Sequence, residues 1–467
     1  MGRTDFSVDG VAGGELSANG LMTNPAMRGA TLYIELGSNM MLPYLYNGLR
    51  RETGAYRKTA WIGTPLMLSP IYDVVGPDAC AFLQSICVND FSKLKYKGLR
   101  HAIICNEKGQ ELTDGVVIRI AEDRYRTYWL NPPIQYLLEK SGFDVHGEDM
   151  TGKEYFIQIE GEKSLEILED AFQQDLHDIR FAKRRVVDMD GRKVNVIRLG
   201  MCGGLAYEIH GPMEDYAYVY DKVWESGEKF GAEKEGMLAY NEFNHTEAGF
   251  SNIHQHYPLP WFETSDDMTK WMYDHPSLSM YNINRKLVGS STDLQERFVT
   301  PYDMGWGFLV KFNHDFIGRE ALEAMADKPA RTAVTLEWNP EDVGKIFAAM
   351  NTRGGQEVDD ISKDSDLDIV GNNVDGVYYY RADEVYSGNR KVGITSGRIH
   401  TYNYNAMISI AYVEPGVIKL GDELRILWGT PGTKQMWVRA KVCPLPYNDD
   451  IVTNDKFDVE TIPHRFA

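Results

Sequence analysis

Helix-like and strand-like segments alternate along roughly the first 330 residues of the chain. Apolar positions recur at the helical period after Asp78, and Asp190-Gly191 marks a hairpin further along. The predicted elements are helices at 81–86, 163–172 and 215–224 and strands at 100–105, 115–120, 125–130, 155–159, 185–189 and 193–199. Strands and helices that alternate in two similar passes predict an α+β body of antiparallel sheets with helices on one side.

The chain beyond Pro329 has a different pattern, because strand-like runs follow one another without helices between them. Such runs, separated by turn residues, are typical of a small β-barrel or sandwich. The runs are 332–338, 376–380, 391–395, 406–412, 423–428 and 436–443. We therefore expect a polar N-terminal arm over residues 1–27, an α+β body over 28–328, and a β-barrel domain over 329–467 with an acidic, solvated insertion at about 357–375.

The net charge of the chain disfavours two classes of binding partner. The 467 residues carry 49 Lys and Arg against 68 Asp and Glu, a net charge of −19. This excess disfavours nucleic acids and anionic membranes as partners, and only two short basic runs, 93–100 and 183–185, oppose it. Because no apolar run is long enough for a membrane span and no apolar signal segment begins the chain, the sequence predicts a cytoplasmic protein.

Motifs for metals, nucleotides and disulfides are weak in this chain. The five cysteines are scattered without a Cys-x-x-Cys pair, which predicts buried thiols. His245, His254 and His256 lie near one another, but no carboxylate or cysteine at helical spacing completes a zinc site, so we predict no metal. The glycine-rich segment 200–204 precedes a strand rather than a helix, which argues against a dinucleotide cofactor.

Glu208 follows Tyr207 on an apolar, strand-like segment. An ionised carboxylate is costly to bury there unless a ligand or partner pairs with it. One interpretation is that Glu208 accepts hydrogen bonds from a ring with adjacent N–H donors, as in a pterin or guanine. The other is a glutamate on an edge strand that faces solvent. The residues alone leave both open.

A series of motifs, in order along the chain, resembles the aminomethyltransferase (T-protein) family of the glycine-cleavage system. The matching segments are 88–94, 97–98, 106–109, 113–115, 206–209, 247–249, 304–306, 315–322 and 394–397. Within that superfamily the chain is more similar to the tetrahydrofolate-dependent aryl O-demethylases that act on vanillate and syringate. That closer resemblance rests on segments 302–319, 335–339, 427–429 and 443–447 and on an insertion at about 257–300.

The resemblance implies a three-lobed fold around a central channel that holds folate, followed by a β-barrel. It also implies tetrahydrofolate as the methyl acceptor. Glu208 matches the glutamate that binds the amino and amide nitrogens of the pterin, and charge-assisted hydrogen bonds of this kind are strong. Tyr207 and Trp306 match aromatic positions beside the folate, and Asn131 resembles an asparagine near the pterin.

One departure from the family concerns catalysis. Aminomethyltransferases have an Asp-Asp pair where this chain has Thr113-Asp114. The missing first aspartate is the one that they use in one-carbon transfer from a protein-bound amine, and the demethylases lack it too. The resemblance therefore argues against glycine cleavage, and Asp114 is expected to orient the pterin or accept its proton.

A second departure concerns the methyl donor. Vanillate-type enzymes surround the aromatic acid with a glutamine, paired histidines and an arginine, whereas this chain has Pro65, Met67, Leu68 and Leu130 at or beside those positions. Leucine cannot replace the charge-assisted pair that an arginine makes with a carboxylate. We expect a donor without that carboxylate, or an acid held from another direction. Tyr33 is a further candidate for the substrate pocket.

The implied reaction moves a methyl group from an aromatic methyl ether to tetrahydrofolate, giving 5-methyltetrahydrofolate and a phenol, as in the catabolism of lignin-derived aromatics. Tyr240 matches the catalytic tyrosine of the family, and its pKa near ~10 suits proton donation to a departing phenolate. Two alternatives stay open. They are an S- or N-demethylase with a donor such as dimethylsulfoniopropionate, and a folate-binding protein without catalysis.

Overall fold

Most strand pairs in the described residues are antiparallel, and two, Trp61–Gly63 with Glu233–Glu235 and Arg285–Val288 with Tyr378–Arg381, are parallel. A computed structural model describes residues 5–8, 14–17, 25–36, 40–67, 69–253, 255–275, 285–365 and 377–466. The strands of these residues are β1 (Asp5–Val8), β2 (Gly14–Ser17), β3 (Leu32–Leu36), β4 (Met40–Leu45), β5 (Trp61–Gly63), β6 (Ile71–Val75), β7 (Leu99–Cys105), β8 (Glu111–Arg119), β9 (Arg124–Tyr128), β10 (His146–Asp149), β11 (Glu154–Glu160), β12 (Arg184–Met189), β13 (Arg192–Ile197), β14 (Ala206–Pro212), β15 (Glu233–Glu235), β16 (Arg285–Val288), β17 (Thr332–Trp338), β18 (Tyr378–Arg381), β19 (Asp383–Ser387), β20 (Arg390–Thr401), β21 (Ala406–Val413), β22 (Glu423–Trp428) and β23 (Met436–Cys443).

Helices join and cover these strands. The α-helices of the described residues are α1 (Leu49–Glu52), α2 (Ala79–Ile86), α3 (Pro133–Lys140), α4 (Ser164–Phe172), α5 (Tyr216–Lys229), α6 (His245–Glu247), α7 (Trp261–Thr264), α8 (Asp266–Asp274), α9 (Leu294–Arg297), α10 (Arg319–Met325) and α11 (Pro340–Met350). Ala239–Asn244 is a π-helix that runs directly into α6. Every helix in the described ranges is too short or too polar to span a membrane.

Two sheets form the body. The first has the strand order β10-β6-β9-β8-β7, and α2 packs its Phe82 and Leu83 into the apolar core of that sheet. The second has the order β12-β13-β14-β11-β5-β15, and α4 and α5 cover one face of it with Leu165 and Val219. Because side chains alternate along a strand, the opposite face of β11 and β14 is left free to line a site.

The strands from β17 onward close a barrel in the order β17-β21-β20-β19-β22-β23, with β17 paired to both β21 and β23. The predicted α+β class with a C-terminal β-barrel is confirmed. The expectation of strands alone in this region was wrong, because α11 intervenes. Asn339 accepts hydrogen bonds from the backbone of Glu341 and Asp342, each at 3.1 Å, and Pro340 occupies the first turn, where its missing N–H costs nothing.

The structure can be compared with the predicted domain boundaries at three places. Within the N-terminal arm, Ala26 and Met27 are buried in the core of the second sheet. The insertion at about 257–300 contains α7, α8, β16 and α9, while residues 276–284 lie outside the described ranges. In the acidic insertion, Asp359 pairs with Arg381 at 2.9 Å, and residues 366–376 lie outside the described ranges.

Candidate functional site

A cavity of about 1180 Å³ opens between the two sheets of the body. Typical ligand pockets hold ~300–1,000 Å³, so this cavity has room for more than one small molecule. Its lining includes buried polar and aromatic side chains from both sheets and from the π-helix region. These are Asp114, Gln158, Glu208, Tyr240, His245 and Trp306. The cavity therefore brings together four side chains that the sequence singled out, namely Asp114, Glu208, Tyr240 and Trp306.

Glu208 lies on β14, between β13 and β11 in the second sheet. The edge-strand interpretation of this residue was therefore wrong. The side chain is 7% exposed and lines the cavity, and no described residue donates a hydrogen bond to its carboxylate. Nε2 of His210 lies 3.4 Å from Oε2 of Glu208. A buried carboxylate without donors is a strong acceptor for a ligand that brings N–H groups.

Gln158 faces Glu208 across the β11–β14 pair and joins it to Tyr240. The amide nitrogen of Gln158 donates a hydrogen bond of 3.3 Å to the Tyr240 hydroxyl oxygen, and Oε1 has no partner within the described residues. Tyr240 is 4% exposed and sits in the π-helix, a backbone form often found at functional sites. Burial and the nearby Glu160 carboxylate raise the pKa of Tyr240 well above its ordinary value, so the hydroxyl stays protonated.

Asp114 belongs to a polar group on the first sheet. Oδ2 of Asp114 lies 2.7 Å from Nε2 of His101, and Oδ1 lies 3.4 Å from the Tyr257 hydroxyl. Tyr257 also donates to Glu111 at 2.6 Å, and burial followed by the charge of Asp114 raises the pKa of Glu111 well above its ordinary range. The arrangement holds His101 against the Asp114 carboxylate at the cavity wall.

Aromatic rings form another wall. The ring of Trp306 lies 4.8 Å from that of His101 and 5.0 Å from that of Phe250, measured between centroids. His245 packs between Phe250 and Tyr240, at 5.7 Å and 5.5 Å. Burial lowers the pKa of His245 to about 4. These contacts give the cavity flat apolar surfaces on which a planar ligand ring can stack.

Exposed residues form the rim of the cavity, and most of the charged ones are basic. The two basic runs seen in the sequence meet here, since Gly98 and Lys183 form a β-bridge. The exposed basic and aromatic rim side chains are Lys93, Lys95, Arg100, Lys183, Lys311, Phe181 and Phe308. Phe308 is 70% exposed, and the carboxylates of Asp90 and Asp455 also reach the lining. Although the chain has a net charge of −19, the basic rim attracts an anionic, partly aromatic ligand locally.

Several predicted site residues do not line the cavity. Tyr207 alternates with Glu208 and therefore points to the opposite face of β14, into the core beneath the helices. Met67 lies in that same core, and Leu130 lies in the core of the first sheet. Tyr33 donates a hydrogen bond of 2.8 Å to the carbonyl of Met27, away from the cavity. Asn131 is buried and is not among the lining residues, and Leu68 lies outside the described residues.

Three lining residues were missed by reasoning from the sequence as site residues, namely His101, Gln158 and His245. Gln158 left a signal, because it is a polar residue within a strand that is buried throughout its length. His245 was considered only as a zinc ligand. In the structure its Nδ1 faces the carbonyl of Phe250, while His256 accepts from the backbone of Asn252 and contacts Thr246.

A polar cluster outside the cavity bears on the predicted absence of metal. Asp175, His177 and His464 place possible ligand atoms within 4.8 Å of one another. Both ring nitrogens of His177 already have partners, since Nδ1 lies 2.8 Å from Glu169 and 2.7 Å from Asp175, and Nε2 lies 3.0 Å from the carbonyl of Ile462. The absence of metal stays a prediction.

Comparisons with known proteins cover most of the chain. A family model described as the GCVT N-terminal domain matches residues 32–257. Sesamin methylene transferase from Sinomonas sp. is 46% identical over 425 residues, which cover 90% of this chain and 93% of that protein. Syringate O-demethylase from Sphingobium sp. is 28% identical over 438 residues, which cover 87% and 91%.

Among solved structures, the glycine cleavage system aminomethyltransferase T from Bartonella henselae is similar in fold. It has a TM-score of 0.64 at 17% sequence identity, and the match covers 91% of this chain and 96% of that chain. At this identity the likeness shows the fold alone. The α+β body and the barrel are thus found together in an enzyme of known architecture.

Proposed function

Since the chain belongs to the aminomethyltransferase family, whose relatives named above are transferases and a demethylase, we propose that it transfers a one-carbon unit from an aromatic ether to tetrahydrofolate. The observation that carries the proposal is the cavity in which Glu208, Gln158 and Tyr240 meet. One end of this group accepts hydrogen bonds, and the other end can donate a proton. A one-carbon acceptor that carries N–H groups can bind at the first end, and a one-carbon donor whose oxygen departs can take a proton from the second.

Tetrahydrofolate fits the acceptor end. Its pterin ring carries adjacent N–H donors, and the cavity offers the buried carboxylate of Glu208 beside Oε1 of Gln158, which has no partner among the described residues. Trp306 and Phe250 provide surfaces for stacking. The carboxylates of its glutamate tail suit the lysines of the rim, because opposite charges attract even on a strongly acidic chain. When bound, tetrahydrofolate supplies the nucleophilic nitrogen.

The donor end is apolar and contains a proton source. Leu66, Trp129, Leu199 and Met201 line the cavity, and Leu66 and Met201 pack against the cluster that contains Tyr240. Cleaving an aryl ether releases a phenolate, and a neighbouring hydroxyl that donates a proton stabilises the charge as it develops. Tyr240 keeps its own hydrogen for this purpose, because Gln158 is the donor in their hydrogen bond. Methyl ethers of phenols, without a required carboxylate, are the first donor class.

A second donor class is favoured by the relative that shares 46% of its residues with this chain, whose printed name is sesamin methylene transferase. In a methylenedioxyarene the carbon is bound to two aryl oxygens. Its transfer breaks both C–O bonds, forms two C–N bonds and yields a catechol with methylenetetrahydrofolate. The same acceptor site and the same proton donor suit this reaction. It differs from methyl transfer in the oxidation level of the product folate.

A donor panel tests the proposal. The purified chain is incubated with tetrahydrofolate and, separately, with methoxyarenes, methoxybenzoates, methylenedioxyarenes and dimethylsulfoniopropionate, and the folates are identified by mass spectrometry. We expect methyl- or methylene-tetrahydrofolate in step with a new phenol or catechol. A one-carbon folate formed only from the sulfonium donor would overturn the aromatic ether, and none from any donor would overturn the transfer itself.

A further inference from the structure

We propose that His245 is the proton acceptor of this transfer and works as a pair with Tyr240. The inference rests on the proposed function, since it assigns a role within that reaction. It adds a residue that the sequence motifs did not point to. Three observations carry it, namely the fixed tautomer of the imidazole, its position in the cavity, and its distance from Tyr240.

The tautomer follows from one hydrogen bond. Nδ1 of His245 lies 3.1 Å from the carbonyl oxygen of Phe250. A carbonyl oxygen can only accept, so Nδ1 carries the hydrogen, and in the neutral ring Nε2 keeps a lone pair. Nε2 makes no hydrogen bond to any residue in the described ranges, and His245 lines the cavity. One nitrogen is thus anchored to the backbone, while the other is available to a bound molecule.

The charge state agrees with this geometry. His245 is buried, and both the hydrogen bond to the Phe250 carbonyl and the charge of Asp114 favour the charged ring. Burial outweighs Asp114 and lowers the pKa to about 4. At physiological pH the imidazole is therefore neutral, with a lone pair on Nε2 and no proton to give from it.

The spacing suits a transfer between two atoms. The ring centroids of Tyr240 and His245 are 5.5 Å apart, with an interplanar angle of 86°. In an in-line transfer the attacking nitrogen stands ~3–3.5 Å from the carbon, on the side opposite to the departing oxygen. One of two neighbouring side chains can therefore accept a proton from the attacking nitrogen, while the other donates a proton to the departing oxygen.

The protons balance in this arrangement. The C–O bond breaks with its electron pair on oxygen, and Tyr240 gives its proton to that oxygen. A C–N bond forms, and Nε2 of His245 accepts the proton that the nitrogen loses. The proton then passes from His245 to Tyr240, directly or through a water molecule, which restores both side chains. The net change moves one proton from the nitrogen to the new phenol.

His101 is the competing base. Its Nε2 is held by Asp114 at 2.7 Å, and its ring packs on Trp306 and Phe250. No contact of His101 with Tyr240 is found in the described ranges. A histidine in that position can orient a ligand, but it lacks the neighbour that would return the proton.

Chemical rescue tests the assignment. We expect His245→Ala to lower kcat by ~10²–10³-fold, the usual range for a lost acid or base, and imidazole in the buffer to recover at least ~10-fold. Recovery should track unprotonated imidazole as pH varies. His245→Gln keeps a donor for the Phe250 carbonyl but removes the base, and serves if the alanine variant does not fold. Tyr240→Phe, also impaired, should not respond to imidazole.

A second readout needs no turnover. In wild-type protein labelled with ¹⁵N-histidine, the His245 signal, assigned by its loss in His245→Gln, should report the neutral Nδ1–H tautomer from pH 8 down to about 5.5. Titration near the ordinary histidine pKa would overturn the inference. So would a His245 variant that keeps more than half of the wild-type kcat, or that imidazole fails to rescue. A wild type that forms no one-carbon folate would instead remove the proposed function and this inference together.

Discussion

The side-chain nitrogen of Gln158 donates a hydrogen bond of 3.3 Å to the hydroxyl oxygen of Tyr240. Because Gln158 is the donor, this bond leaves the tyrosine hydrogen available to another acceptor. Gln158 also stands opposite Glu208 on the neighbouring strand. Strands β11 and β14 thereby set the distance between the proposed acceptor site and the proposed proton source. Four predictions follow from this arrangement and from the residues around it.

Tyr240→Phe should separate chemistry from binding. Removing one hydroxyl takes away the proton donor while the ring keeps its contacts with Trp61 and His245. We expect kcat to fall by ~10²–10⁴-fold, with the Kd for tetrahydrofolate changed less than ~3-fold. Steady-state kinetics and calorimetric titration measure the two quantities.

Tyr207→Phe is the matched control for that substitution. Tyr207 neighbours Glu208 in sequence, but its side chain lies in the core beneath the helices. Both kcat and Kd should stay near their wild-type values. If Tyr207→Phe impaired turnover as strongly as Tyr240→Phe, the assignment of the two faces of β14 would be contradicted.

Glu208→Gln should weaken tetrahydrofolate binding. The amide keeps the shape of the side chain but replaces charge-assisted hydrogen bonds with neutral ones, and each such bond contributes ~1.5–3 kcal/mol. We expect the Kd to rise ~10–100-fold, with a smaller effect on the rate at saturating tetrahydrofolate. An unchanged Kd by calorimetry would remove Glu208 from the acceptor site.

The basic rim should act through charge. Lys93→Glu combined with Lys183→Glu reverses two exposed charges at the mouth of the cavity. We expect the KM for tetrahydrofolate to rise ~10-fold at low ionic strength, and the effect to shrink in 0.5 M salt because exposed charges are screened. Lys419→Glu combined with Lys434→Glu, two exposed sites in the barrel domain, makes the same change in charge away from the rim. An equal effect from that control would mean that net charge alone is responsible.

Glu160→Gln should change how stability depends on pH. Burial raises the pKa of Glu160 to about 7, against hydrogen bonds of 2.8 Å from the backbone of Met201 and Cys202 that favour the charged form. A carboxyl whose pKa rises on folding contributes stability that is fully present below its unfolded pKa and lost as pH rises through the folded value. This contribution amounts to at most about 3 kcal/mol.

The expected result is a difference between two proteins. From pH 4.5 to 7 the free energy of unfolding of Glu160→Gln should fall less than that of the wild type, as measured by urea denaturation. Comparing the two cancels the opposite trends of His245 and His256, whose pKa values are lowered by burial. Glu225→Gln, at an exposed position, should follow the wild type. Parallel curves for all three proteins would contradict the assignment.

The fold was predictable where local patterns decide it. Residues 332–338, 423–428 and 436–443 were predicted with the bounds that the structure gives to β17, β22 and β23. Helix α11 was not predicted, although Asn339 and Pro340 form a recognisable start signal, because the segments on both sides of it have strand-like patterns. Closure of the barrel depends on pairing between β17 and β23, a contact between residues far apart in sequence that no local pattern reveals.

The site was predictable only in part. Glu208 stood out because a charged residue on an apolar strand demands an explanation, and Asp114, Trp306 and Tyr240 came from motif resemblance. His101 and His245 come from separate segments that meet only through packing around Phe250. Tyr207 shows the opposite failure, since one step along a strand carries a side chain from the cavity to the core.

Isotopic labelling tests the central claim, transfer of the ether carbon to folate, most directly. An accepted aryl ether is prepared with ¹³C in its ether carbon and incubated with the protein and tetrahydrofolate in H₂¹⁸O. The account predicts ¹³C in the one-carbon folate in equal amount to the new phenol, with no ¹⁸O in that phenol. Release of the label as formaldehyde or methanol without tetrahydrofolate, or ¹⁸O in the phenolic product, would contradict it.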